Sequence, residues 1–316
     1  SQGSNSLLGN ESSKESESYA EHLENNNISV FKTVLGEVDE NRVKFMSTQD
    51  FDDEIGEGLR LIGELAEYAK NQKREECDVS ELVVGLKCGG SDGFSGLTAN
   101  PLIGRFSDKL ISKGGSTVLT EVPEMFGAET ILMNRCVNEE VFDKTVSLIN
   151  DFKDYFTSHN QVVYENPSPG NKNGGITTLD DKSLGCVQKS GSADVEDVIE
   201  IGGSVTRKGL NLLTGPGNDI VAVTNLTASG CHLILFSTGR GTPVGAPVPT
   251  VKIATNTNLA KRKPHWIDFN AGEIINGADL TDELFEYVIE VANGKQTNNE
   301  KNGYKEISIF KDGVVL

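Results

Sequence analysis

Four short segments of the 316-residue chain set glycine beside polar side chains, each just after an apolar run. Lys87-Cys88-Gly89-Gly90-Ser91-Asp92-Gly93 follows Leu82–Leu86, and Thr120-Glu121-Val122-Pro123-Glu124 follows Ser116–Leu119. Thr214-Gly215-Pro216-Gly217-Asn218-Asp219 follows Leu210–Leu213, and Ser237-Thr238-Gly239-Arg240-Gly241-Thr242-Pro243 follows His232–Phe236. Glycine lets backbone N–H groups come close to a ligand, and a helix that starts there turns its positive end toward an anion. A carboxylate suits such a rim, and Arg240 can grip one at two points. Tight turns also need glycine, so any one segment alone reads equally as a turn.

Within these segments Cys88, Asp92, Glu121 and Glu124 are candidate metal ligands or acid/base groups, since carboxylates and a thiolate suit a divalent ion such as iron. Each has a plainer alternative. Cys88 reads also as an inert buried residue, and Glu124 as a carboxylate favoured at a helix start. Lys172 and Lys182 can bind a carboxylate or, with a lowered pKa, act as bases, but most lysines are simply solvated. His232 opens a strand, where a histidine is usually a hydrogen-bonded structural residue.

Those segments need a scaffold. Helical spacing of apolar residues predicts helices over 27–35, 52–70, 101–111 (with Asn100 as cap), 123–135, 139–156, 219–228 and 281–292, and one that starts near Lys182. Short apolar runs predict strands over 42–46, 82–86, 116–122, 210–213, 232–237 and 251–255. A Pro- and Gly-bearing loop runs from Ser158 to Gly175. Alternation of this kind implies an α/β fold with a mainly parallel sheet covered by helices on both faces, and ligands at the carboxyl ends of its strands.

A formal net charge of −18 argues against a nucleic-acid partner, although acidity also simply aids solubility. Five widely spaced cysteines without a CxxC pair fit reduced thiols rather than a disulfide framework or a structural zinc site. No apolar run spans a membrane and no secretory leader is visible, so a cytoplasmic protein is the expectation. Ser1 to Glu24 is rich in Ser, Glu and Asn, and reads as a disordered lead ahead of a folded region over 25–316. Patterns for phosphate-loop ATP use, dinucleotide binding and HExxH zinc sites do not occur.

Longer motifs carry a resemblance. Lys87 to Pro101 (KCGGSDGFSGLTANP), Thr120 to Glu129 (TEVPEMFGAE), Pro169 to Lys172, Ser237 to Pro243 and Val251 to Thr255 resemble, in order, signature segments of the altronate/galactarate dehydratase family. Val122–Gly127, Glu165–Pro169 and His265–Phe269 resemble the altronate branch in particular. Family members are longer: a small β-rich domain precedes the region that begins near Glu24, and Gly-Cys stands where this chain has His22-Leu23. The resemblance therefore implies a C-terminal, catalytic-side part of such an enzyme with a foreign lead, and a Rossmann-like sheet.

It also implies a reaction. A proton leaves the carbon beside the carboxylate, the neighbouring hydroxyl departs as water, and D-altronate becomes 2-keto-3-deoxy-D-gluconate. Galactarate dehydration and sulfite elimination from sulfolactate are the sister reactions; a ligand-binding or assembly fragment without turnover is the alternative of another class. Ferrous iron is the implied cofactor, with Cys88, Asp92 and Glu121 as its expected ligands. Lys172, Lys182, His232 and Glu124 are the expected acid/base groups. Ser91, Asn171, Thr238, Arg240 and Thr242 are expected to hold the sugar acid. A small-molecule substrate and a homodimer are the expected partners.

Overall fold

The computed structural model describes residues 28–164, 166–313 and 315. The expected lead over 1–24 lies outside the described residues. The chain divides into two compact units, Ser1–Glu76 and Cys77–Leu316.

The described part of the first unit carries helices α1 (Ile28–Leu35) and α2 (Glu54–Lys70). Asp53 caps α2 by accepting from the Gly56 N–H at 2.8 Å, acidic Glu54 and Glu57 stand in its first turn, and Lys70 lies in its last. This charge order suits the helix dipole. Arg60 joins Glu57 and Glu64 along one face. The strand expected over 42–46 is irregular chain. Among the described residues of this unit no other strand is present to pair with it, and an unpaired strand leaves its backbone groups unmatched.

The second unit is built on seven parallel strands in the order β3-β4-β2-β1-β5-β6-β7. In chain order its main elements are β1 (Val83–Cys88), α3 (Ala99–Ser112), β2 (Ser116–Leu119), α4 (Glu129–Met133), α5 (Glu139–Ser158), α6 (Pro169–Asn173) and α7 (Leu179–Val187). Then come β3 (Val195–Ile199), β4 (Gly209–Leu213), α8 (Asp219–Ala228), β5 (Leu233–Thr238), β6 (Thr250–Ala254), α9 (Thr257–Arg262), β7 (Phe269–Asn270), α10 (Thr281–Ala292) and α11 (Asn298–Asn302). The α/β parallel sheet read from the sequence is thus the one observed.

Parallel strands buried on both faces read as continuous apolar runs; β5 opens as LILF, while β1 and β4 each hold one polar residue, Lys87 and Asn211, within the run. On one face Val84, Leu86 and Leu235 join a large core with Leu102 and Phe106 of α3 and Phe285 of α10. On the other, Val118, Ile234 and Phe236 pack with Val223 and Leu226 of α8. Gly85 lets α8 approach: a Cβ there would meet Leu226 Cδ1 and Ile234 Cγ1 at 3.1 Å each. Each large apolar side chain so buried contributes about 1.5–3 kcal/mol.

The chain leaves β1 toward β2 on one side and returns from α8 to β5 on the other. The order therefore reverses between β1 and β5, and the crevice beyond their carboxyl ends is where such sheets bind ligands.

Several boundaries differ from expectation. The strand expected over 116–122 stops at Leu119, and Glu121 turns into the left-handed region at φ 71°. The helix expected over 123–135 is a 3-10 turn at Val122–Glu124 followed by short α4; Gly127, at φ 90°, separates the two. Helix α3 starts at Ala99, so Asn100 is not its cap. Instead Asn100 is buried, donating to Gly185 O at 2.8 Å and accepting from Ser237 Oγ at 2.7 Å. The expected loop from 158 to 175 contains α6, closed at its start by a capping box between Ser168 and Asn171. Edge strand β3 escaped notice because Glu196 and Asp197 interrupt its apolar pattern.

No helix among the described residues is long and apolar enough to cross a membrane.

Candidate functional site

The segments after β1, β2, β4 and β5 converge with α6 and α7 around a cleft of about 750 Å³. Cys88, Glu124, Asn171, Lys182, Asp219 and Arg240 are on its wall.

Beneath it lies a knot of buried charge. Lys87, fully buried, donates to Glu121, to Asp219 Oδ1 at 2.9 Å and to the Cys88 carbonyl at 2.6 Å. Glu121 Oε2 also accepts from Lys189 Nζ and from the Cys88 N–H, each at 3.0 Å. Glu124 pairs with Lys182 at 2.9 Å and lies 3.8 Å from Lys189. Three lysines thus face Glu121, Glu124 and Asp219. Buried ions are costly, and only partners on every side make the arrangement tolerable.

The left-handed backbone of Glu121 belongs to this knot. That conformation costs a non-glycine residue about 1–2 kcal/mol. The ion pairs to Lys87 and Lys189 hold it in place, and strain of this kind is concentrated where geometry serves a ligand.

Electrostatics follow from the geometry. Burial favours a neutral amine at Lys87, but Asp219 and Glu121 outweigh it and raise its pKa above the ordinary lysine value. Burial likewise opposes the charged forms of Lys182 and Lys189, and their anionic neighbours again prevail. All three are ammonium ions at neutral pH. Burial works against ionised Glu124, yet Lys182 and Lys189 hold it well below the usual carboxylate range. Both oxygens of Glu121 accept from nitrogen donors, the arrangement of a carboxylate, even as burial pushes its pKa up.

Cys88 and Cys186 meet here, Sγ to Sγ at 3.6 Å. The hydrogen bond from Cys186 lowers Cys88 to about 5; burial and Glu124 oppose this, while Lys189 and Lys182 assist it. The same hydrogen bond raises Cys186. Cys88 is thus the more acidic thiol of the two. Glu124 Oε2 lies 2.9 Å from Cys88 Sγ. Cys88, Glu124 and Cys186 each offer one donor atom, all within 4.8 Å of one another. Two sulfurs and a carboxylate fit a borderline first-row divalent ion.

The residues singled out in the sequence separate into groups. Cys88, Glu121, Glu124 and Lys182 come together. Ser91 joins them: Lys182 donates to its hydroxyl at 3.0 Å, and that hydroxyl points to Cys88 Sγ at 3.5 Å. Asn171 donates to the Ser91 carbonyl at 3.0 Å, and Arg240 reaches the Gly170 carbonyl at 2.7 Å, tying α6 to the rim.

Asp92, expected as a metal ligand, instead accepts from Thr255 Oγ1 at 2.8 Å and Asn256 Nδ2 at 3.0 Å, pinning the loop after β1 to the end of β6. Glu121 is taken up by lysines rather than by the sulfur-containing group. His232 lies at the opposite, amino end of the sheet, where its ring accepts the Val83 N–H at 3.1 Å. Lys172 is exposed on α6. Thr238 is buried and accepts from the Gly241 N–H at 2.9 Å; Thr242 accepts from Val244 N at 3.3 Å. Both brace the turn that carries Arg240.

Sequence reasoning missed Lys87, Lys189, Cys186 and Asp219 as site residues. Lys87 had a signal, a charge inside the apolar run VVGLKC. Asp219 had another, a carboxylate in the first turn of a helix that follows a glycine-rich strand end. Lys189 and Cys186 had none.

A doubly wound parallel sheet with a charged cleft at its switch point defines an α/β protein. Comparison with known proteins narrows the class. Residues 79–315, nearly the whole second unit, match the C-terminal domain of D-galactarate/altronate dehydratase, and the chain belongs to that family. It is 60% identical over 297 residues to an altronate dehydratase of Bacillus subtilis (strain 168), covering 93% of this chain and 60% of that protein. An altronate dehydratase of Escherichia coli (strain K12) is 57% identical over 296 residues, 93% of this chain and 60% of the relative. A galactarate dehydratase (L-threo-forming) of the same strain is 37% identical over 284 residues, 88% of this chain and 53% of the relative. The chain thus spans about 60% of the length of the two altronate dehydratases it matches.

Proposed function

We propose that this chain is the catalytic-side part of a hydro-lyase that converts D-altronate to 2-keto-3-deoxy-D-gluconate and water. The observation that carries the reading is the convergence of Lys182, Arg240, Glu124 and Asp219 on one cleft at the switch point, in a chain 60% identical to an altronate dehydratase.

Elimination needs a held carboxylate, a base for the weakly acidic α proton and an acid for the leaving hydroxyl. Arg240, on the cleft wall, supplies the two-point grip for the carboxylate. Lys182, held as an ammonium by its anionic neighbours, donates to the departing hydroxyl. Asp219 is the base. Its Oδ1 accepts from Lys87, while Oδ2 faces Gly89, where a Cβ would stand only 2.7 Å from it. Both oxygens of Glu124 already have partners, so Glu124 orients Lys182 and Cys88 rather than taking the proton. Lys172 and His232 take no part in this scheme. A divalent ion, ferrous iron in the family expectation, would be held by Cys88, Glu124 and Cys186, and would supply Lewis-acid stabilisation of the charge that develops on the substrate.

The test is release of keto acid from D-altronate, galactarate and sulfolactate, offered separately under anaerobic, iron-supplemented conditions. Preferential turnover of altronate is expected. Preference for either of the others overturns the substrate assignment, and binding of altronate without turnover would make the chain a ligand-binding part. Asp219→Asn is expected to lower turnover about 10²–10⁴-fold, the usual worth of a positioned base.

A further inference from the structure

We propose that Cys88 and Cys186 form a thiol oxidation site for hydroperoxides, with Cys88 attacked first and Cys186 resolving it as an intramolecular disulfide. The inference does not depend on the dehydratase reading.

The two residues come from distant parts of the chain, the end of β1 and the last turn of α7, yet their sulfurs are 3.6 Å apart. A disulfide bond is about 2.0 Å long, so the sulfurs need to close by roughly 1.5 Å. Glycines flank both, with Gly89 and Gly90 after Cys88 and Gly185 before Cys186. The other cysteines lack such a neighbour. Cys136 contacts Thr145 Oγ1 at 3.4 Å, Cys231 contacts Ser229 Oγ at 3.8 Å, and Cys77 is exposed.

The order of events follows from access. Cys88, only 1% exposed, is on the cleft wall and Cys186 is not, so a small oxidant that enters through the cleft reaches Cys88 first. Lys182 and Ser91 stand beside that sulfur, Ser91 Oγ at 3.5 Å and Lys182 Nζ at 3.0 Å from Ser91 Oγ, ready to donate to the departing oxygen. The Cys88 sulfur passes its proton to Glu124 Oε2, 2.9 Å away, and attacks one oxygen of the hydroperoxide. The S–O bond forms, the O–O bond breaks, and the other oxygen leaves as an alcohol, or as water from hydrogen peroxide, taking a proton from this pair. The resulting Cys88 sulfenic acid is then attacked by the Cys186 sulfur. The S–S bond forms, the S–O bond breaks, and the hydroxyl leaves as water with the proton of the Cys186 thiol. Two thiols and one hydroperoxide give one disulfide, one alcohol and one water, and a dithiol reductant reverses the change. The same oxidation removes both sulfurs from the candidate metal-ligand group.

The experiment treats the metal-free chain with hydrogen peroxide in small molar excess, blocks remaining thiols by alkylation under denaturing conditions, and maps peptides by mass. A linked pair containing Cys88 and Cys186, lost on treatment with dithiothreitol, is expected. In C186S the resolving sulfur is absent, and Cys88 is expected to gain two oxygen atoms as sulfinic acid. If both cysteines of the unmodified chain stay fully alkylatable at a dose that oxidises glutathione, the proposal is wrong. It is equally wrong if Cys88 links chiefly to Cys77. Because the first measurement uses the unmodified chain, it stands even if C186S folds poorly.

Discussion

Lys87 and Lys252 occupy one row of the sheet, in register on either side of Phe236, and burial treats them in opposite ways. Both are fully buried, and both ammonium groups lie near the Phe236 ring, at 5.6 Å and 3.4 Å from its centroid. Lys87 has Glu121, Asp219 and a carbonyl as partners. Lys252 Nζ has no hydrogen-bond partner among the described residues. Lys87 is accordingly held above the ordinary lysine value, whereas burial drives Lys252 down to about 7, with Lys87 adding to the fall and Asp219, Asp268 and Glu306 opposing it. The difference teaches that depth does not set the charge of a buried lysine. Converging acceptors do, and a ring face alone does not replace them.

The sharpest way to break this comparison is to remove Lys87. Lys87→Met leaves Glu121 buried with a single lysine and Asp219 without its partner. Stripping one partner from a buried pair costs about 3–5 kcal/mol. Urea unfolding is expected to show a loss of that size. A loss below about 1 kcal/mol would mean that the knot relaxes easily and that its partners are not what keeps Lys87 charged.

The same row shows where sequence reading succeeds and where it stops. Apolar runs and glycine-rich strand ends were enough to foresee a parallel sheet and the end of it where the cleft lies, because period and turn chemistry are local properties. Cys88, Glu121, Glu124 and Lys182, which the fold brings together, were legible as candidates because each lies in or beside such a segment. Cys186 and Lys189 were not, since their importance comes from α7 and the turn after it folding back over the ends of β1 and β2, in contacts across 98 and 68 positions. Asp92 and His232 have partners elsewhere for the same reason: a residue's type gives its chemistry, but only its partners show whether that chemistry is already spent. Asp92 is spent on Thr255 and Asn256, and His232 on the Val83 N–H.

Lys252 gives the next largest effect, in the opposite direction. Its folded pKa of about 7 lies below the ordinary 10.5, so the unfolded chain holds a proton that the native state surrenders. Between those values stability from this group rises with pH, and its penalty is full below about 7. Lys252→Met is therefore expected to stabilise the protein at pH 7 by about 1–4 kcal/mol, the range seen when buried charge gives way to an apolar side chain. The gain should shrink steadily as the pH is raised toward 10. A destabilised variant, or a gain that does not depend on pH, would show that Lys252 has a partner in solution after all.

The smallest effect isolates pairing from place. In a double-mutant cycle, Lys87→Met and Glu121→Gln are measured singly and together. A glutamine at 121 keeps an acceptor for Lys189 and the Cys88 N–H, while the doubly changed protein holds neither an uncompensated carboxylate nor its cation. The combined loss should fall short of the sum of the single losses by about 0.5–3 kcal/mol, the coupling expected of contacting charges. The matching cycle of Lys252→Met with Glu121→Gln shares no hydrogen-bonding partner, and its two changes should add to within about 0.5 kcal/mol. If both cycles coupled equally, the row would act as one electrostatic unit, and the contrast between its two lysines would lie in the shared field around Phe236 rather than in the acceptors each one meets.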